Sequence, residues 1–241
     1  MKLLLNNNNK LPKRKEDENA RQYAYRILKK SIMELILPPN QKLNESELSN
    51  ILCLSRTPVH DSITKLSRDR LVHLVPKKGA YVAGFDPLLF EHSIWLQSTF
   101  GTKVIQNIFS RNLKPSETEI LQKKLVALNT CIENGKYHEV TSHIFDYYQQ
   151  LYLLSSNMDL IWKSLTKHFN DYRRILYFAT STSATISQEF YSDLSSLTDF
   201  IITRKPDQAY LIFDQHLSKI VLLLEPIKKY KPDFIKNNEQ L

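Results

Sequence analysis

Residues 52–66 read LCLSRTPVHDSITKL, and this stretch decides the fold of the N-terminal third of the chain. Ser55 is suited to cap a helix, because its hydroxyl can accept a hydrogen bond from a first-turn backbone N–H. Pro58 is tolerated in that turn, where a missing N–H costs little. Val59, Ile63 and Leu66 follow at roughly helical spacing. The stretch therefore predicts a helix from Ser55 to about residue 70.

Two further helices are predicted before this one. Residues 21–37 form an amphipathic pattern that Pro38 stops, and residues 44–52 begin with Asn44 as a helix cap. Only Cys53 and Leu54 separate the second helix from the third. Two helices joined by so short a turn are typical of a helix-turn-helix motif.

The opening turn of the second helix of such a motif is the part that meets base edges in the DNA major groove. Arg56 can bond guanine through two donors or reach a phosphate, and Ser55 and Thr57 can hold phosphate oxygens. His60 and Lys65 follow about one and two turns later. Alternatively, Ser55 only caps the helix and the basic side chains are only solvated.

Residues 71–85, LVHLVPKKGAYVAGF, alternate apolar and polar side chains around a Lys-Lys-Gly turn. This pattern predicts a two-stranded hairpin with Lys77, Lys78 and Gly79 at its tip. The lysines of such a wing can lie along phosphates or in the minor groove. The order of helix, capped helix and basic hairpin favours DNA binding over the solvated alternative.

The charge of the 241-residue chain is concentrated in its first third. Residues 1–86 hold 16 Lys and Arg against 9 Asp and Glu, which leaves 17 against 16 for the remaining residues. A basic module joined to a near-neutral one is typical of a nucleic-acid reader with a separate sensing or assembly domain. A basic surface without a partner would have the same composition.

Residues 21–85 resemble the winged helix-turn-helix of GntR-family bacterial transcription regulators. The motifs are LNESEL (43–48), SRTPVHDSI (55–63), RLV (70–72) and KGAYV (78–82). His60 stands where the family has a second arginine, and Asn40 and Arg70 stand where it has glycines. The resemblance implies DNA contacts at Ser46, Ser55, Arg56, Thr57, His60, Lys78 and Gly79, of which Ser46 comes from the resemblance alone.

From about residue 87 onward, apolar residues recur at helical spacing and predict an all-α bundle of six or seven helices. Residues 147–157 and 207–217 are similar to parts of the FCD ligand-binding domain of the FadR subgroup. Many such domains hold a divalent metal with one Asp and three His. Ile144, Tyr148 and Leu194 or Ser195 occupy the matching positions here, and only His216 remains.

We therefore expect no metal and no other cofactor, because one imidazole does not make a site. The alternative ligand set is His143, Asp146 and His216. The two cysteines, Cys53 and Cys131, have no metal-ligand spacing. A helical bundle can hold an organic effector without a metal, for example a carboxylate, and the candidate contacts are Tyr148, Arg173, Arg174 and His216.

Together these patterns predict a mainly α protein with a winged helix-turn-helix of three helices plus a β-hairpin, followed by the helical bundle. The expected domains are a disordered tail at 1–18, the DNA-binding domain at 19–85, a linker at 86–92, the effector-binding and dimerisation domain at 93–230, and a tail at 231–241.

The predicted function is a dimeric transcription regulator, most simply a repressor, that binds double-stranded DNA at a palindromic operator and responds to a small molecule. The alternative is a helical interaction protein whose helix-turn-helix does not read DNA. No glycine-rich phosphate loop, H-E-x-x-H motif or nucleophile elbow occurs, so no enzyme is predicted. With no apolar run long enough for a membrane span or an export signal, we expect a bacterial cytoplasmic protein without a membrane partner.

Overall fold

The computed structural model describes residues 11–156 and 158–236. The chain divides into two compact units: residues 1–87 with 227–241, and residues 88–226. Those parts of the predicted tails that fall on residues 1–10 and 237–241 lie outside the described residues. We describe each unit by itself.

Between residues 11 and 87, the first unit contains three helices and three short strands, and a 3-10 turn follows the helix Leu224–Tyr230 near the C-terminal end of the unit. The helices are α1 (Ala20–Met33), α2 (Glu45–Leu52) and α3 (Arg56–Arg68), and the strands are β1 (Lys42–Leu43), β2 (Val72–Val75) and β3 (Gly79–Val82). These three strands pair antiparallel in the order β1-β3-β2. The predicted hairpin is thus β2–β3, and β1 is a third strand that the sequence did not indicate.

Helix α3 is held against α1 by its apolar face. Val59, Ile63 and Leu66 are 0 to 1% exposed and belong to one hydrophobic core with residues of α1 and α2. A polar contact adds to this packing, because the Ser62 hydroxyl donates to the backbone carbonyl of Arg21 on α1 at 3.0 Å. Burial of this face leaves the opposite face of α3 in solvent.

Two positions where the family resemblance implies glycine have a left-handed backbone. Asn40 has φ +64° and Arg70 has φ +59°. Asparagine tolerates this conformation better than most residues, whereas arginine adopts it at a cost. Both positions therefore have the type of backbone conformation that glycine adopts most readily.

The C-terminal segment, residues 231–236, returns to the first unit. The Phe85 N–H donates to the Phe234 carbonyl at 2.7 Å, and the Lys236 N–H donates to the Phe85 carbonyl at 2.8 Å. The Asn40 side-chain amide donates to the Asp233 carbonyl at 2.5 Å. The sequence predicts a tail for 231–241, whereas residues 231–236 form a 3-10 turn and a strand-like contact with residue 85.

The second unit is helical throughout. It is built from α4 (Pro87–Phe109), α5 (Pro115–Glu133), α6 (Tyr137–Leu154), α7 (Asp159–Leu165), α8 (Asn170–Thr182), α9 (Ala184–Ile202) and α10 (Pro206–Leu222), and α11 (Leu224–Tyr230) crosses the division between the units. The predicted mainly α class, with a winged N-terminal module and a helical C-terminal one, is confirmed. Across the described residues, no helix is long and apolar enough to cross a lipid bilayer.

The core of the second unit is aromatic. The Phe145 ring lies 5.3 Å from the Tyr172 ring and 5.9 Å from the rings of Tyr148 and Trp162, between centroids. Such tilted and edge-to-face pairs add to the area burial of each ring. Helices α6, α7 and α8 are therefore joined through one ring cluster.

We predict that Gly84→Ala lowers the free energy of unfolding by about 1–3 kcal/mol, the usual cost of overpacking. A Cβ at residue 84 would lie 2.8 Å from the backbone N and Cα atoms of Lys236, and backbone cannot move aside as a side chain can. Urea denaturation measures the loss. The control is the same substitution in a chain that ends at Ile235, where the penalty should shrink; an equal penalty in both chains would contradict this contact as its cause.

Candidate DNA interface

Helix α3 presents its opening turn to solvent. Ser55, Arg56, Thr57 and His60 are all exposed. Arg56 makes no ion pair or side-chain hydrogen bond with any of the residues that the structure describes. Because no acid among these residues pairs with it, the Arg56 guanidinium is available to a phosphate or a base edge.

Ser55 differs in one respect from its sequence interpretation. It occupies the N-cap position of α3 with extended backbone angles, φ −68° and ψ 165°, but its side chain makes no capping hydrogen bond. The predicted cap is therefore present in backbone geometry only. Because its hydroxyl makes no capping hydrogen bond, it can donate to a phosphate oxygen.

His60 is held by an acid that sequence reasoning missed. Its Nδ1 lies 3.0 Å from the Glu45 carboxylate oxygen, and Glu45 is the first residue of α2. The pair places a negative charge beside the exposed turn of α3. The signal in the sequence was only an acidic residue in the first turn of α2, and nothing there revealed its contact with a residue 15 positions later.

Lys65 is not brought together with the other predicted contacts. Nine residues after Arg56, it is rotated by about 180° around the helix axis. Its Nζ lies 4.0 Å from the centroid of the Tyr25 ring on α1, a cation–π contact. The structure thus places Lys65 at the α1 edge of α3, away from the face of Arg56.

The wing tip lies at the turn between β2 and β3. Lys77, Lys78 and Gly79 are exposed, and the Lys78 N–H closes the turn onto the Val75 carbonyl at 3.0 Å. Gly79 has φ +110°, a conformation that only glycine adopts readily. The two lysine side chains therefore project from a tight, hydrogen-bonded turn.

An open groove of about 540 Å³ runs between the wing and the start of α2, with Glu45 on one side and residues 74–80 on the other. Ser46, the contact implied by family resemblance, is half-buried in the first turn of α2. Its backbone N–H donates to the Asn44 side chain at 3.0 Å. Because the start of α2 and the wing line the same groove, they form one continuous surface.

The predicted effector residues Tyr148 and His216 lie in a buried polar chain of the second unit. The Tyr172 hydroxyl donates to the Tyr148 hydroxyl at 3.2 Å, and the Tyr148 hydroxyl lies 2.5 Å from His216 Nε2. His216 Nδ1 lies 3.1 Å from Asp193, which also accepts from Lys219 at 2.7 Å. Both ring nitrogens of His216 are thus engaged, Nε2 by Tyr148 and Nδ1 by Asp193.

Burial sets the charge states in this chain. It lowers the pKa of His216, and the neighbouring Asp193 carboxylate opposes the shift without reversing it. Burial alone would raise the pKa of Asp193, but hydrogen bonds from His216 and Lys219 hold it below its ordinary value. A neutral His216 therefore donates through Nδ1 to an ionised Asp193 and accepts through Nε2 from Tyr148.

The two arginines predicted as effector anchors occupy different environments. Arg174 is fully buried, and its guanidinium is paired with Asp171 at 2.5 Å. Arg173 is half-buried, with its guanidinium 4.6 Å from the centroid of the Phe145 ring. Arg173 is therefore the more accessible of the two arginines.

The alternative metal set of His143, Asp146 and His216 is not assembled. Among the described residues, His143 instead lies close to Cys131 and Glu139. His216 is occupied by Tyr148 and Asp193. Of the positions where the family resemblance implies ligands, residue 144 is a buried Ile and the one at 194 or 195 is a buried Leu or a Ser, so neither offers an imidazole or a carboxylate.

Comparison with known proteins agrees with the N-terminal geometry. Residues 20–82 match the family described as bacterial regulatory proteins, gntR family. A helix-turn-helix transcriptional regulator from the TAR-I ttuE-ttuC' intergenic region of Agrobacterium vitis is 31% identical over 85 residues, which are 34% of this chain and 50% of that protein. The chain thus spans about half the length of this relative.

Two other similarities extend across both units. The helix-turn-helix transcriptional repressor RspR of Escherichia coli is 22% identical over 216 residues, 88% of this chain and 92% of that protein. The solved structure of McbR/YncC from E. coli has a TM-score of 0.69 at 15% identity and covers 86% of this chain and 98% of that one. Residues 20–82, which hold the winged helix-turn-helix, thus match the gntR family, and the fold likeness to the solved structure extends over most of the chain.

Proposed function

We propose that this protein is a sequence-specific transcriptional repressor that binds a palindromic operator as a homodimer. The observation that carries the proposal is the exposed Ser55-Arg56-Thr57 turn, which the buried face of α3 fixes in an outward direction. In a helix-turn-helix protein that turn enters the major groove, with Arg56 on a guanine edge or a phosphate.

The wing extends the same surface. Lys77 and Lys78 project from the tight turn and would follow phosphates or the adjacent minor groove. The excess of basic residues in the first third of the chain supports this role, because phosphate neutralisation supplies most non-specific affinity for DNA. We propose DNA contacts at Ser46, Ser55, Arg56, Thr57, His60, Lys77, Lys78 and Gly79, and we assign Lys65 no base contact.

Repression and dimerisation rest on separate support. A relative that matches 88% of this chain is named a repressor. A dimer follows from the way helix-turn-helix proteins read DNA, since two readers in successive major grooves require a two-fold axis.

Leu88 and Trp95 are seven residues apart on α4, therefore on one helix face, and are 58% and 65% exposed. We propose that a second copy of the chain covers this face.

We further propose that the second unit is an FCD-type domain that senses a small organic acid. The support is the buried polar chain through Tyr148 and His216, together with the half-buried cation of Arg173 beside the ring cluster. Arg174 is a weaker candidate, because Asp171 already neutralises it. A carboxylate would pair with Arg173 and compete with its contact to the Phe145 ring.

The function is tested with Arg56→Ala. Fragments of genomic DNA that the purified protein retains define an operator, and affinity for it should fall about tenfold or more in the variant, the usual ~1–3 kcal/mol of an arginine–base contact. Lys65→Ala removes the same charge from the other edge of α3 and should change affinity much less. Equal effects of the two substitutions, or an unchanged Kd for Arg56→Ala, would show that the opening turn does not read DNA.

Glu45→Gln should strengthen operator binding by about two- to fivefold, as expected for one exposed charge pair. The substitution removes a negative charge 3.0 Å from His60 and frees that imidazole for DNA. Titrations at several salt concentrations measure the change. Glu47→Gln alters the net charge equally in the same helix turn and serves as the control; if it strengthens binding as much, His60 is not the reason.

Trp95→Glu should convert a dimer into a monomer and weaken operator binding, because a carboxylate cannot be buried in an apolar contact between copies. Sedimentation velocity measures the mass. Val126→Glu, at a position on α5 that is 64% exposed, provides the matched control and should leave the dimer intact. A dimer that persists in Trp95→Glu would rule out this face of α4 as the interface.

A further inference from the structure

We propose that Cys131, Glu139 and His143 form a binding site for a divalent transition metal of the zinc class. The ligand atoms of these three side chains all lie within 4.8 Å of one another. The site lies on α5 and α6, and it shares no residue with the position around His216 that family resemblance points to. It goes beyond the proposed function, which needs no metal.

The chain brings the three residues together through a sharp reversal. Cys131 lies near the end of α5, and Gly135, with φ +66°, lies in the connection to α6. Glu139 and His143 are four residues apart on α6, therefore on the same face of that helix. The reversal places this face of α6 against the end of α5.

The donor set suits zinc. A thiolate, an imidazole and a carboxylate are its three usual protein ligands, and three of them leave a fourth position for solvent. Around a tetrahedral ion with bonds of about 2.0–2.3 Å, ligand atoms are roughly 3.3–3.8 Å apart. Side-chain rotations that move the ligand atoms by about 1 Å would thus bring the three atoms to the spacing found around one ion.

The present contacts of these side chains are weak enough to be exchanged. The Cys131 thiol donates to the Lys136 carbonyl at 3.0 Å, and Glu139 lies 3.5 Å from His138. His143 makes no side-chain hydrogen bond or ion pair with the residues that the structure describes. Cys131 is buried while Glu139 and His143 are half-buried, so an ion can enter from the solvent side and release the thiol proton as it binds.

A metal at this position would join the end of α5 to the start of α6 and stabilise the folded second unit by mass action. This consequence gives a readout that is independent of DNA binding. Failure of the operator experiments would therefore leave the metal proposal standing. Failure of the metal experiment would likewise leave the proposed function standing.

The test uses the full chain, stripped with a chelator and titrated with Co²⁺ as a spectroscopic substitute for zinc. We expect one equivalent to bind with a thiolate-to-cobalt charge-transfer band in the near ultraviolet, and Zn²⁺ to displace it. Cys131→Ser should abolish the band, whereas Cys53→Ser, which removes the other, exposed cysteine, should keep it. Loss of the band in Cys53→Ser, or no band in the unmodified protein, overturns the proposal.

Because Cys131 is buried, its replacement could disturb folding, so two further variants are needed. Glu139→Gln and His143→Gln change half-buried side chains and should weaken Co²⁺ binding about tenfold or more. Zn²⁺ should raise the melting temperature of the unmodified chain and of His138→Gln, but not of His143→Gln. Equal Zn²⁺ stabilisation of the His138 and His143 variants would show that the ion binds elsewhere.

Discussion

The burial of one face of α3 against α1 is the constraint on which the N-terminal unit depends. Successive helix residues are about 100° apart, so fixing Val59, Ile63 and Leu66 in the core fixes the direction of every other side chain on the helix. Arg56 and Thr57 must then face solvent, and Lys65 must lie along α1. The core thus aims the opening turn of the helix while taking no part in any contact with DNA.

Residues 231–236 complete the packing of this unit. Asn40 adopts a left-handed backbone that its position demands, and its side chain holds the carbonyl of Asp233. Gly84 leaves room for the backbone of Lys236, and Phe85 pairs with residues 234 and 236. A fragment that stops after the wing would therefore lack part of its own domain, although it contains the whole helix-turn-helix pattern.

In the second unit, polar groups are buried without unbalanced charge. His216 is kept neutral by burial and exchanges hydrogen bonds with Tyr148 and Asp193, and Arg174 is neutralised by Asp171. Such buried hydrogen-bonded and ion-paired groups favour one packing of the helices around the aromatic cluster.

The sequence by itself determined the elements that depend on near neighbours. The helical spacing of Val59, Ile63 and Leu66, the start of α3 at Arg56 and the hairpin around Lys77 and Lys78 follow from periodicity and turn chemistry, which act over a few residues. Tertiary structure alone decided the contact of Glu45 with His60, the return of residues 231–236 to Phe85, and the approach of Cys131 to His143. These contacts depend on how separate elements pack, and no local pattern in a single sequence records which distant side chains that packing brings together.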